Sequence, residues 1–239
     1  MRASNLDVKR NAPAPLPPGQ RLIAEFPRFG ITAFARRPLK NKLIRLEISG
    51  AVSPPVMLTA TELSTLPRIG LTADFHCAAG WTYRSLQWSG FRFKDVFDRW
   101  IAPSLSPQAQ IGFVLLRCQD GYRTALPLAD LLADDVLLAD QLNGQPLNIP
   151  HGAPLRLVAP AHYGYKSVKH LDRIEFLAAG EEYRLVLPRL LDHPRARVAQ
   201  EERGQILPGW LSRYLFRPFI RLIIRRMEKI TAQSMDDAR

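Results

Sequence analysis

Apolar and polar residues alternate over residues 43–49, the period of a β-strand with one buried face, and Gly50 with Ser53-Pro54-Pro55 supplies turn chemistry behind it. Residues 61–66 read as one helical turn stopped by Pro67. Residues 93–101 carry apolar side chains at helical spacing and end before Pro103. Residues 111–116 are a buried-strand candidate, with Asp120-Gly121 as the turn after it. Residues 126–132 predict a short helix, 136–139 a core strand, and Asn143-Gly144 a tight turn. Residues 155–159 predict a strand ended by Pro160, and residues 171–177 alternate once more. There is no regular strand–helix alternation and no glycine-rich phosphate loop. The pattern predicts an α+β fold with mixed β-sheets, short helices and long loops, and argues against a doubly wound parallel sheet.

Composition sets the organisation. The 239 residues are 46% hydrophobic and 23% charged, enough for a substantial core and against wholesale disorder. No apolar run approaches the roughly 18 residues that span a bilayer. Residues 1–20 hold Pro13, Pro15, Pro17 and Pro18 in a polar stretch, which predicts a flexible arm. Residues 21–180 then form a single globular domain and 181–239 a C-terminal extension. In that extension Ile220, Ile223, Ile224 and Met227 share one helical face while Arg221, Arg225 and Lys229 share another. This predicts a basic amphipathic helix, kinked or restarted at Pro218.

The arm has no apolar h-region, and Arg36-Arg37 leads into Pro38 with no apolar segment behind it, so export is not expected. Two cysteines, Cys77 and Cys118, make no disulfide framework and suit a reducing compartment, so the expected location is cytoplasmic. A net charge of +11 raises nucleic acid, membrane surfaces and anionic ligands as partners. No helix-turn-helix, zinc-finger or aromatic RNA-binding pattern accompanies the charge, so nucleic acid is not expected. Two readings stand for the basic end of the chain. One is a terminal helix packed on its own domain; the other is peripheral contact through residues 210–230 with the inner face of a membrane or with a membrane-bound redox partner.

Three segments could carry chemistry. In Asp74-Phe75-His76-Cys77-Ala78-Ala79-Gly80-Trp81, followed by Trp88-Ser89-Gly90-Phe91, a cysteine lies between a histidine and a small-residue turn. A lone cysteine is most often a small buried hydrophobe. The separation of Cys77 and Cys118 makes no zinc-finger spacing. His76 is badly placed as a base for Cys77, because neighbours on a strand point to opposite faces. The second segment is His151-Gly152-Ala153-Pro154-Leu155-Arg156-Leu157-Val158. The third, Tyr163-Gly164-Tyr165-Lys166-Ser167-Val168-Lys169, could offer backbone N–H groups, a hydroxyl and ammonium charge to a phosphate, or be an ordinary basic loop.

These motifs, in this order and with Asp120-Gly121-Tyr122 between them, resemble the sulfite oxidase family of mononuclear molybdenum oxidoreductases, which also includes periplasmic methionine sulfoxide reductases. The resemblance runs over about residues 26–176 and implies the molybdopterin-binding fold of that family. It implies one Mo-molybdopterin per chain, with the Cys77 thiolate on the metal, where a soft anionic sulfur is suited. Arg156 corresponds to the arginine that reaches the cofactor, and His151 to a position held by asparagine in the sulfoxide reductases. Ser167, Val168 and Lys169 correspond to the loop gripping the pterin phosphate. Arg28, in the Phe26-Pro27-Arg28-Phe29-Gly30 segment, is a candidate beside the pterin. Cys118 falls near a cofactor-contacting threonine, with a structural cysteine as its other reading, and His76 and Tyr122 are candidates for the substrate side.

The implied reaction is two-electron oxygen-atom transfer on a small sulfite-like or sulfoxide-like substrate. The alternative is a cofactor-binding or interaction module of the same fold without turnover. The chain has no Cys-x-x-Cys-His and no room for a haem domain, so a separate electron-transfer partner, such as a membrane-bound cytochrome, is implied. The additional C-terminal β domain of sulfite oxidases is not expected within these 239 residues.

Overall fold

The computed structural model describes residues 15–27, 43–106, 109–179 and 192–216, together with Pro218 and Arg225. Its strands are β1 (Arg21–Leu22), β2 (Arg45–Gly50), β3 (Val56–Thr59), β4 (Ile69–His76), β5 (Trp81–Arg92), β6 (Ile111–Cys118), β7 (Arg123–Pro127), β8 (Leu137–Leu142), β9 (Gln145–Pro146), β10 (Arg156–Val158) and β11 (Leu171–Ala178). The helices are short: α1 (Ala60–Leu63), α2 (Phe93–Val96), α3 (Leu128–Leu131) and α4 (Gly209–Phe216). One sheet has five strands in the order β3-β2-β11-β6-β7, and β11 runs parallel to β2 but antiparallel to β6. The other has six, with β1-β5-β8-β10 in line, β4 on β5 and β9 on β8. The α+β reading with mixed sheets holds.

Alternation decides which face each strand buries. Leu46 and Ile48 of β2, Val114 and Leu116 of β6, and Ile174 and Phe176 of β11 enter the main core between the sheets. Phe91, Leu138 and Leu157 enter it from the six-stranded sheet. Their neighbours Leu137, Ala139 and Val158 point the other way, into a second cluster with Leu86 and Trp88. Strands β8 and β10 are therefore buried on both faces, which is why residues 137–139 and 157–159 read as apolar runs rather than alternating ones. Arg156, two residues from Val158, lies on this second face, away from the main core.

Several boundaries differ from expectation. Leu126 pairs with Val114 in the sheet, and Pro127, which has no N–H to donate, begins no helix until Leu128. The helix expected over residues 93–101 makes one α turn and then a π turn at Phe97–Ile101, closed by Ala102 N–H on the Phe97 carbonyl ahead of Pro103. The local pattern sets no bounds for β4 and β5; β4 ends at His76, so Cys77 lies in the turn and not on the strand. Residues 15–20, expected as the end of a flexible arm, are held: Gln20 is buried, and the Pro18 carbonyl accepts from Arg203 Nη2 at 3.0 Å. Residues 192–203 pack on the domain, with Ala196 and Val198 against Tyr163. Helix α4 is described as far as Phe216, and the amphipathic pattern of residues 220–229, apart from Arg225, lies outside the described residues.

Candidate functional site

Cys77 stands at the head of the turn joining β4 to β5. Its N–H donates to the Trp81 carbonyl at 2.8 Å and its carbonyl accepts from Gly80 N–H at 2.9 Å. Gly80 takes φ +106°, a conformation costly for any residue with a Cβ. Gln20 Nε2 reaches the Cys77 carbonyl at 3.1 Å, and Arg203 holds the Ala78 carbonyl through Nη1. The Cys77 side chain is 6% exposed yet belongs to none of the three apolar clusters. Its sulfur lies 3.4 Å from the Ala79 N–H. Burial pushes the thiol up to about 12, with that N–H and the Arg203 charge opposing.

His76 is oriented by a chain of bonds. The Thr82 hydroxyl donates to Gln20 Oε1 at 3.1 Å, so its oxygen is left to accept from His76 Nδ1 at 2.9 Å. The imidazole thus carries its proton on Nδ1, and burial holds its pKa below the usual histidine value.

The loop at residues 163–169 docks on this turn. Gly164 N–H donates to the His76 carbonyl at 2.7 Å. A Cβ on Gly164 would lie 2.2 Å from the Phe75 ring, so only glycine permits the approach. The loop amides of Lys166, Ser167 and Val168 donate to Tyr163, Gly164 and Lys166 carbonyls. They are turned into the loop itself, which corrects the expectation that they face a phosphate. Ser167 Oγ accepts from Ala159 N–H at 3.1 Å, and Lys169 Nζ donates to the Pro150 carbonyl at 2.8 Å.

Arg156 ties the second and third segments together. Nη1 donates to the His151 carbonyl at 2.8 Å, Nη2 to the Ser167 carbonyl at 2.9 Å, and Nε weakly to the Leu157 carbonyl at 3.4 Å. The guanidinium lies 4.6 Å from the Trp88 ring centroid and 5.7 Å from that of Phe75. It is fully buried, and no carboxylate pairs with it among the described residues. Burial lowers its pKa to about 9, so it remains a cation at neutral pH. Two of the five guanidinium N–H donors find no acceptor among the described residues.

His151 sits on a 3-10 turn capped by Asn148, its ring stacked on Phe26 at 5.2 Å and 10°. Burial, with help from Lys169 and Arg156, holds its pKa below the usual histidine value, with the Phe26 carbonyl opposing. Phe26 also meets Phe75 edge-on at 5.1 Å and Trp88 at 6.2 Å, so an aromatic group floors the region.

The structure thus gathers His76, Cys77, His151, Arg156, Ser167 and Lys169 around Phe75 and Phe26. It does not bring the Val168 side chain there, which packs in the main core. Cys118 also packs in that core, close enough to the Arg156 guanidinium for the two to interact electrostatically. Arg28 lies outside the described residues. Tyr122 is half-buried, its hydroxyl donating to the Tyr165 carbonyl at 3.0 Å. Gln20, Thr82 and Arg203 went unread. Arg203 lies 125 positions from Ala78, and no local pattern announces such a contact.

Residues 35–183 match the family described as oxidoreductase molybdopterin binding domain, and the chain belongs to it. It is 34% identical over 163 residues to the uncharacterized oxidoreductase YuiH of Bacillus subtilis (strain 168), covering 67% of this chain and 78% of that one. It is 30% identical over 161 residues to the sulfite oxidase of Arabidopsis thaliana, covering 55% of this chain but 41% of that one. The crystal structure of the sulfane dehydrogenase SoxCD from Paracoccus pantotrophus superposes with a TM-score of 0.50 at 25% identity, over 64% of this chain and 44% of that one. The chain is a molybdopterin-binding oxidoreductase of the sulfite oxidase family, and its cofactor is Mo-molybdopterin. The residues present suit such a group: a buried sulfur set apart from apolar packing, and a buried cation with unused donors and no carboxylate.

Proposed function

We propose that the chain carries out two-electron oxygen-atom transfer on a small sulfite-like or sulfoxide-like substrate and exchanges electrons with a separate protein. Cys77 supplies the metal ligand, and Arg156, His151, Ser167 and Lys169 hold the pterin end. The observation carrying this reading is the uncompensated Arg156 cation, buried on the same sheet face as the aromatic group and joined through Phe75 to the cysteine turn.

When bound, the cofactor supplies the two-electron redox centre. The protein's part is binding and orientation. The turn fixed by Gln20, Gly80 and Arg203 holds the sulfur in one place, and the thiol releases its proton on coordination. Arg156, braced by two carbonyls and two rings, directs its remaining N–H groups at an anion. Phe26, Phe75 and Trp88 exclude water from one side, which strengthens those contacts.

Protein made in a host competent for cofactor synthesis is expected to hold molybdenum and pterin near one per chain. Cys77→Ser should lose the metal while keeping the fold by circular dichroism. Metal retained in full by Cys77→Ser removes the assignment of the ligand. Wild-type protein that loads molybdenum but turns over neither sulfite nor sulfoxides is instead a cofactor-binding module.

A further inference from the structure

Nine large apolar side chains are exposed among the described residues, and five of them, Ile206, Trp210, Leu211, Tyr214 and Leu215, fall within residues 206–215. The other four are scattered singly, as is ordinary for a soluble surface. Helix α4 explains the cluster. Gly209 packs so tightly on the 192–203 segment that a Cβ there would lie 2.0 Å from the Glu201 carbonyl oxygen. Ser212 is buried, and Arg213 lies across Gly19 and pairs with Glu201 at 3.5 Å. Residues 209, 212 and 213 therefore form the docked face. Trp210 and Tyr214, one turn apart and 57% and 56% exposed, point outward with Leu211 and Leu215.

The chemistry next to this face selects its occupant. From Gly209 to Ile230 the sequence carries Arg213, Arg217, Arg221, Arg225, Arg226 and Lys229 against Glu228 alone. A tryptophan and a tyrosine beside leucines, followed by a cationic stretch, is the composition that settles at a lipid–water interface. No helix among the described residues is long and apolar enough to cross a membrane. We propose that α4 is a peripheral membrane-docking surface that lays Trp210, Leu211, Tyr214 and Leu215 into the headgroup region of an anionic bilayer, with the net positive charge of this part of the sequence selecting anionic lipid. The proposal stands apart from the reading of Cys77, and Cys77→Ser should bind vesicles as wild type does.

Full-length protein is to be floated with vesicles of phosphatidylcholine alone and of phosphatidylcholine with about one third phosphatidylglycerol, the anionic probe. Binding to the anionic vesicles is expected, weakening by about tenfold or more between roughly 0.05 and 0.5 M salt as the Debye length shortens. Trp210→Ser/Tyr214→Ser should also lose about tenfold or more, because it removes two exposed interfacial rings. The Tyr214 ring also lies 5.3 Å from the Arg213 guanidinium, so Trp210→Ser alone, which leaves that contact in place, should lose binding as well. Its thermal midpoint should match wild type. Arg217→Glu/Arg221→Glu tests the charge separately and should abolish the preference for anionic lipid. Absence of flotation with anionic vesicles at low salt overturns the proposal. So does equal, salt-independent binding to neutral vesicles, or a dimer in sedimentation that the Trp210/Tyr214 variant dissociates, which would make the occupant a second copy of this chain.

Discussion

Arg156 is held in the way a buried cation is held when another anion is meant to complete its shell. Its carbonyl contacts orient the guanidinium, but carbonyls do not neutralise it, and leaving a charge unpaired in low dielectric is costly. The planar fork matters as much as the charge, since Nη1 and Nη2 brace two different segments while each keeps one N–H. Arg156→Lys keeps the charge and loses the fork. It is expected to lower molybdenum and pterin content by about tenfold or more, measured by metal analysis on purified protein, with far-ultraviolet circular dichroism unchanged. Wild-type cofactor content in that variant would show that charge alone suffices. The contrast between the two cysteines belongs to the same scale. Both are buried, but Cys118 belongs to the main apolar core, while Cys77 has a turn, a glutamine and an arginine.

At the level of elements, the site is made by loops that lock on one another. Gly164 lets the 163–169 loop sit on Phe75 and bond to His76, so Gly164→Ala must move either the ring or the backbone. The expected cost is about 1–3 kcal/mol in denaturant unfolding, reduced when Phe75→Leu makes room. The 192–203 segment is organised by Glu202, which accepts from the Arg197 N–H and Nε at 3.0 Å. Those bonds hold the Glu202 carboxyl down at about 2. Their stabilisation is fully present above the ordinary carboxylate value and is lost as the pH falls towards 2. Glu202→Gln is therefore expected to lower the thermal midpoint by a few degrees at pH 7, and the difference should shrink below about pH 4.

Much at this scale was legible. The alternation of residues 43–49 and 171–177 and the Asn143-Gly144 hairpin follow from local chemistry that the fold does not override. Strands β4 and β5 were hidden for a physical reason. Their ladder shifts register between Ala73 and Phe75, and Ser85 takes a positive φ with its N–H on Asp74 Oδ1, so the period of two breaks where the motif residues lie. The cysteine, arginine and histidine of the site could be read because they sit inside short ordered motifs. Gln20, Thr82 and Arg203 could not, because each acts through contacts 57 to 185 positions away.

Across the whole molecule, the sequence boundary at residue 180 does not correspond to a structural one. Lys166 Nζ, fully buried, donates to Thr124 Oγ1, the Ala125 carbonyl and Asp192 Oδ1 at 2.9–3.1 Å, which joins the loop, β7 and the 192–203 segment at one point. Removing one partner of a buried pair strands the other. Lys166→Met is expected to cost about 3–5 kcal/mol in equilibrium unfolding, and Lys166→Met/Asp192→Leu should recover most of it. Strictly additive losses in the double variant would show that the two charges do not act as a pair.

Arg203 grips Pro18 and Ala78 at once, so the peptide that precedes the first strand and the peptide that follows the last one are knotted to the cysteine hairpin by a single side chain. A polypeptide leaving the ribosome completes both sheets some two dozen residues before that grip can close. The cysteine hairpin thus gains its Arg203 latch only after the strands of both sheets have been made.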